Sequence, residues 1–253
     1  MAINTQTLIH FTNKLENLES ILSGDFLPQM SVEDTTFIGR SFKVALPMVC
    51  FCDIPLHLVS EHMAAYGKYG IGLSKDWGIR SGLNPVVYLV ENSPITESFR
   101  NVVDFLLRKG NQASFEKSEE SIIPQRNLAF DFINKIKPYS GKNPKTGKDK
   151  VFYDECEWRF CPNIFDIHAK TGLIPFFFEE DLAQALPTIK SALKKFPLTY
   201  SPNDIRYIFV ESEEEIFKVA SMIDTLKGMK YEPEVLTKLK TKITVSKYVL
   251  EDT

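Results

Sequence analysis

The sequence predicts one mixed α+β domain spanning residues 1–253, with a helical insertion at about 95–136. Three observations predict it. Short segments that alternate with a period of two are interspersed along the chain with segments of helical period. No internal repeat or low-complexity linker divides the chain. Its 253 residues, 43% apolar and 25% charged, are enough for one sizeable core.

The elements follow in order. "TLIHFT" reads as a strand, with Leu8, His10 and Thr12 on one face and Ile9 and Phe11 on the other. "NKLENLESILSG" reads as a helix. Asn13 is the expected N-cap, Glu16 completes a capping box, Leu15, Leu18 and Leu22 form the stripe, and Gly24 is the stop. After a stretch rich in Thr and Phe, "MVCFCD" is a second strand, and "PLHLVSEHMAAY" is a helix with Pro55 near its first turn. In "YGKYGIGLSKDWG", Ile71 and Leu73 alternate with glycines, which predicts a strand approached closely by another backbone. Trp77 is expected to pack beneath the turn that follows it.

"PVVYLVE" is the next strand, and "ITESFRNVVDFLLRKG" and "QRNLAFDFINKIK" make up the helical insertion. Residues 137–150, "KPYSGKNPKTGKDK", read as a polar loop in which five lysines face a single acid, Asp149. The C-terminal part gives a helical "EEDLAQALPTIKSALKKF", a strand "DIRYIFV", a helix "SEEEIFKVASMIDTLK" and a closing "KITVSKYVLED".

Residues 151–160, "VFYDECEWRF", hold the densest chemistry. Read as a strand, the segment puts Phe152, Cys156, Trp158 and Phe160 on a largely apolar face, with Asp154 near its start, and Tyr153, Glu155, Glu157 and Arg159 on a polar one. That polar face is either an ordinary solvated sheet surface or the floor of a cleft.

Composition limits the function classes. A net charge of −3 leaves no bulk basicity, so nucleic-acid binding requires a local patch. No apolar run reaches the length of a bilayer span, and "MAINTQTLIHF" lacks the layout of a signal peptide, so a cytoplasmic protein is expected. Cys50 and Cys52 form C-x-C, while Cys156 and Cys161 stand apart, and His57 and His62 are five residues apart. Neither spacing suits a metal site, so no metal is expected and the cysteines are read as small buried hydrophobes.

Three pieces, "LIHFT", "YGKYGIGLSK" and "ECEWRF", stand in a fixed order. With "GLNPVVYLVE" and "DIRYIFVESEEE" they resemble the AbiGi family of abortive phage-resistance proteins, over most of the chain. Such families are often labelled antitoxins. The same ordering is similar to a degenerate ADP-ribosyltransferase fold of the His–Tyr–Glu class, which implies a mixed, split sheet and NAD as substrate.

That resemblance implies His10 and one of Tyr66 and Tyr69, with Tyr69 preferred, as NAD-binding residues. Glu157 is implied as the catalytic carboxylate, with Arg159 beside it to orient it or keep it ionised. A fixed carboxylate there would stabilise the positive charge that develops on the ribose as nicotinamide leaves. Glu155 with Glu157 is similar to the E-x-E pair of arginine-modifying transferases. The basic loop before that strand, through Lys142, Lys145 and Lys148, is expected with Glu155 to meet the acceptor, a nucleic acid or an acidic protein face.

Two functions are therefore expected. One is a phage-defence enzyme, an NAD-dependent ADP-ribosyltransferase or NAD hydrolase with a macromolecular acceptor. The alternative is a non-catalytic, antitoxin-like protein that neutralises a partner toxin.

Overall fold

The computed structural model describes residues 5–115, 127–143, 147–227 and 231–252. β1 (Thr7–Thr12) runs into α1 (Leu15–Ser23), and β2 (Gln29–Asp34) and the long β3 (Lys43–Cys52) follow. A 3-10 turn at Leu56–Leu58 precedes α2 (Ser60–Tyr66), β4 (Tyr69–Ser74) and α3 (Lys75–Arg80). Two short strands come next, β5 (Asn84–Pro85) and β6 (Val87–Leu89). α4 (Pro94–Phe115) and helical residues 127–133 separate β6 from β7 (Ile136–Pro138).

β8 (Ser140–Lys142) and β9 (Asp149–Val151) then form a hairpin ahead of a 3-10 turn at Phe152–Glu155 and β10 (Glu157–Phe160). The last third holds α5 (Ile164–Thr171), β11 (Phe177–Phe178) and α6 (Glu179–Leu193). It ends with β12 (Ile205–Val210), α7 (Glu214–Lys227), α8 (Pro233–Lys240), β13 (Ile243–Val245) and α9 (Ser246–Glu251).

A mixed α+β architecture results. The central sheet has the order β13-β12-β4-β1-β3-β10-β5, with β2 and β11 also paired to β3. Its pairs are antiparallel except β12 with β13. β1 pairs with β4 over six residues but meets β3 at a single position, Ile9 opposite Cys52. The sheet is therefore poorly closed between β1 and β3. The helices expected at 95–136 lie between β6 and β7, which pair in parallel, so they form the crossover that such a pair requires.

Packing explains the centre. Leu8, Ile71, Leu73 and Ile208 are fully buried in one cluster with Leu18 and Leu22 of α1. Each such side chain contributes roughly 1.5–3 kcal/mol by leaving water. The β4 glycines serve this packing. A Cβ on Gly70 would lie 2.8 Å from the His10 carbonyl oxygen, and one on Gly72 would lie 3.0 Å from Thr7 Cγ2. Trp77 is buried, and its Nε1–H donates to the Thr199 carbonyl at 3.0 Å.

Four local expectations are corrected. Asn13 does not cap α1; the cap position is Lys14, which makes no side-chain cap bond. β2 is a strand that the sequence does not announce, because its residues are all exposed or half-buried and carry no apolar period, and pairing with buried β3 defines it instead. Residues 137–150 are not a plain loop: they contain β8 and most of β9.

Residues 151–160 are not one strand either. The 3-10 turn ends at Cys156, whose φ of 42° is left-handed, and only Glu157–Phe160 is extended. Cys156 is consequently half-buried rather than a core residue, while Trp158 packs against the main cluster from a half-buried position.

Candidate functional site

The chain folds three carboxylates and three cations into one buried network around β10. Glu157 stands opposite Cys52 and Arg159 opposite Cys50, so both project from one face of the sheet together with Ile9. Arg159 Nε donates to Glu157 Oε1 at 2.7 Å, and Lys137 Nζ donates to Glu157 Oε2 at 2.7 Å. Arg159 also reaches both oxygens of Glu33 on β2 at 3.2 Å and the Asn134 carbonyl at 3.0 Å. Glu155, delivered by the 3-10 turn, takes Lys137, Lys150 Nζ at 2.6 Å and the Tyr66 hydroxyl at 2.6 Å.

Burial and pairing act against each other here, and pairing wins. Burial would raise the pKa of Glu157, yet Arg159 and Lys137 hold it well below the usual carboxylate range. Glu155 is lowered in the same way, mainly by Lys137 against its burial. Burial alone would lower Lys137, but Glu157 and Glu155 raise it. The neighbouring groups are neutral. Burial lowers His62 to about 4, against the pull of Glu155, and pushes the Cys50 thiol well up, reinforced by Glu157.

These groups border a cavity of about 200 Å³. It opens where β1 and β3 part, and His10, Glu33, His62 and Tyr66 line it with the network. Its volume is below the roughly 300–1,000 Å³ of ordinary small-molecule pockets.

The expected site residues are distributed unevenly. Glu155, Glu157, Arg159 and Tyr66 meet at the cavity, Tyr66 arriving from α2 rather than from a strand. Tyr69, the preferred tyrosine, lies elsewhere: its hydroxyl donates to Glu215 at 2.8 Å and Glu211 at 3.3 Å. It heads β4, and the conformation of Gly67 (φ 117°) separates it from Tyr66.

His10 touches the cavity, but its side chain leaves the sheet on the face opposite to Glu157. It stands opposite Ile71, and its ring packs 5.3 Å from Phe26 and 5.6 Å from Phe51. Its Nδ1 lies 2.7 Å from the Cys50 carbonyl oxygen, which makes Nδ1 the protonated nitrogen. Burial lowers its pKa. His10, Tyr66 and Glu157 thus border one cavity, as expected of a shared cleft, but the side chains of His10 and Glu157 leave the sheet on opposite faces, because strand alternation sends adjacent positions to opposite sides.

Of the loop lysines, Lys142 pairs with Asp149 at 2.7 Å on the exposed hairpin and Lys148 is exposed beside it. Lys145 lies outside the described residues. Sequence reasoning does not assign Lys137, Lys150, Glu33 or His62 to the cavity. Lys137 and Lys150 read as loop charges, and Glu33 sits in a strand with no apolar period. Among the described residues, no group of three or more His, Cys, Asp or Glu side chains is placed to hold a metal ion. None of the described helices is long and apolar enough to cross a membrane.

The family comparison covers this network. The family described as "Putative abortive phage resistance protein AbiGi, antitoxin" matches residues 24–211, which include every member of the ion network but not His10. An abortive phage resistance protein AbiGi from Lactococcus lactis subsp. cremoris is 34% identical over 223 residues, 78% of this chain and 87% of that protein. No solved structure matches the chain. With the family matched over most of its length and this relative beside it, the chain belongs to the AbiGi family.

Proposed function

We propose that the protein acts in phage defence as an antitoxin-type binding protein, and that its buried ion network holds a binding scaffold rather than cleaving NAD. The family's description and the name of the Lactococcus relative support the setting. The observation that carries the non-catalytic reading is the occupancy of Glu157. Arg159 holds one of its oxygens and Lys137 the other. A carboxylate that stabilises a developing ribose cation has to direct its charge at the substrate. Here that charge is already neutralised by two cations of the protein. His10, turned to the other face and bonded to a backbone carbonyl, supplies no second group.

The partner in this reading is a toxin protein met in the cytosol. The test is co-expression with the product of the adjoining gene. Growth arrest caused by that product should be relieved by this protein, the two should co-purify, and cellular NAD should stay level. Arrest that persists, with no complex formed, would reject the reading.

A second reading is an NAD-consuming transferase or hydrolase. It is favoured by one specific arrangement: β4, β1, β3 and β10 are consecutive in the sheet, and buried carboxylates border the cavity between β1 and β3. In that reading Glu157 acts once a ligand draws Lys137 away, and Tyr66 takes the place expected of Tyr69.

A further inference from the structure

Outside the cavity, the structure builds an aromatic surface that the network does not use. Tyr139 follows β7 and Tyr153 lies in the 3-10 turn, and their rings stack with centroids 5.7 Å apart and planes 28° apart. Tyr88 meets Tyr153 edge-on at 5.3 Å. Two of these rings stand in solvent, Tyr153 at 54% and Tyr139 at 40% exposure.

Their positions are fixed from behind. The Tyr153 N–H donates to the Tyr139 carbonyl, the Tyr139 N–H donates to the Leu89 carbonyl, and the Tyr88 hydroxyl accepts the Glu157 N–H at 2.8 Å. Exposed aromatic rings held in one geometry present flat apolar faces without having to be ordered on binding.

The charges beside them are mixed. The hairpin carries Lys142, Lys148 and Lys150 in a chain whose net charge is −3. Lys150 is taken by Glu155. Lys142 pairs with Asp149, and both are largely exposed, so the pair is weak and exchangeable for a phosphate. Asp149 and Asp154 offset Lys142 and Lys148, as Glu155 does Lys150, and they limit how much of the affinity is electrostatic.

We propose that this hairpin binds single-stranded nucleic acid, with bases stacked on Tyr139 and Tyr153 and the backbone near Lys142 and Lys148. Stacking decides between partner classes. An acidic protein face would use the lysines and leave the rings idle, and a duplex keeps its base faces hidden.

The experiment is fluorescence anisotropy of the full chain with labelled single-stranded 15-mers of DNA and RNA, at about 50 and 200 mM salt. Saturable binding is expected. Tyr139→Ala and Tyr153→Ala should each weaken it roughly 5- to 150-fold. K142S/K148S should reduce the salt dependence, by about 1–1.5 in log–log slope. Photo-crosslinking of the wild type should fall on peptides containing Tyr139 or Tyr153, which keeps the test valid if a variant folds poorly. Absence of binding at low salt, unchanged affinity in both folded tyrosine variants, or equal competition by duplex or polyglutamate would overturn the proposal.

Discussion

Lys137 Nζ lies 2.7 Å from Glu157 Oε2 and also contacts Glu155, so one cation from β7 bridges two buried carboxylates that are two residues apart. This bridge ties three parts of the chain together: the end of the helical crossover, the 3-10 turn and β10. Arg159 completes it by joining Glu157 to Glu33 of β2. Buried charges need such compensation, because each would otherwise carry a large desolvation penalty. The local order around the cavity therefore depends on charge pairing as much as on apolar packing.

Lys137→Met should destabilise the protein by about 3–5 kcal/mol, since it leaves Glu155 and Glu157 short of a cation in a buried setting. The check is denaturant unfolding, with a lower midpoint and an unchanged slope. Adding Glu155→Gln to that variant should recover part of the loss, with a coupling of about 0.5–3 kcal/mol. Equal stability of wild type and Lys137→Met would show that the bridge contributes nothing.

Stability should fall in two stages as the pH drops. His62 is lowered to about 4 in the folded state, so the unfolded chain binds its proton first. Its contribution is complete above about pH 6.5 and is lost as pH falls toward 4. Glu157 and Glu155 are also lowered, so theirs is complete above about pH 4.3 and is lost below that. Thermal unfolding across pH 3–8 measures both stages, and His62→Gln should shrink only the upper one, leaving the part contributed by His10, which burial also lowers. A Tm that stays level between pH 6.5 and 4.5 in the wild type would contradict the assignment.

Gly67→Ala should be severely destabilising, by about 3 kcal/mol or more. Gly67 has φ 117°, and a Cβ there would lie 2.2 Å from the Thr12 carbonyl oxygen. Gly82→Ala provides the control: its φ of 78° is also left-handed, but a Cβ there meets nothing within 4 Å among the described residues. Its cost should stay near 1 kcal/mol. Similar losses in the two variants would mean that the close approach of β1 to Gly67 is not a constraint.

Much of the strand and helix order was legible, because β1, β4, β12 and α7 carry clean apolar periods that local sequence declares. The contacts that shape the cavity were not. Lys137 and Lys150 lie in a segment rich in Gly, Pro and Lys that reads as solvent-facing, and only tertiary pairing with Glu155 and Glu157 reveals their place. The period-two reading groups Glu155 with Glu157, which Lys137 does bridge, but by an alternation that the chain does not follow, since the turn at Phe152–Glu155 and left-handed Cys156 intervene. Tyr66 and Tyr69 are three positions apart, and nothing local says which side of Gly67 faces the cavity. The opposite placement of His10 follows from register with β3 and β4, and register is a property of the sheet rather than of one strand.

The most direct measurement is nicotinamide release from NAD by the purified protein, alone and with the adjoining gene's product, set beside the folded Glu157→Gln variant. A carboxylate already neutralised by Arg159 and Lys137 predicts no release above the buffer rate in any of these samples. Release by the wild type that disappears in Glu157→Gln would contradict the account and establish Glu157 as a catalytic carboxylate.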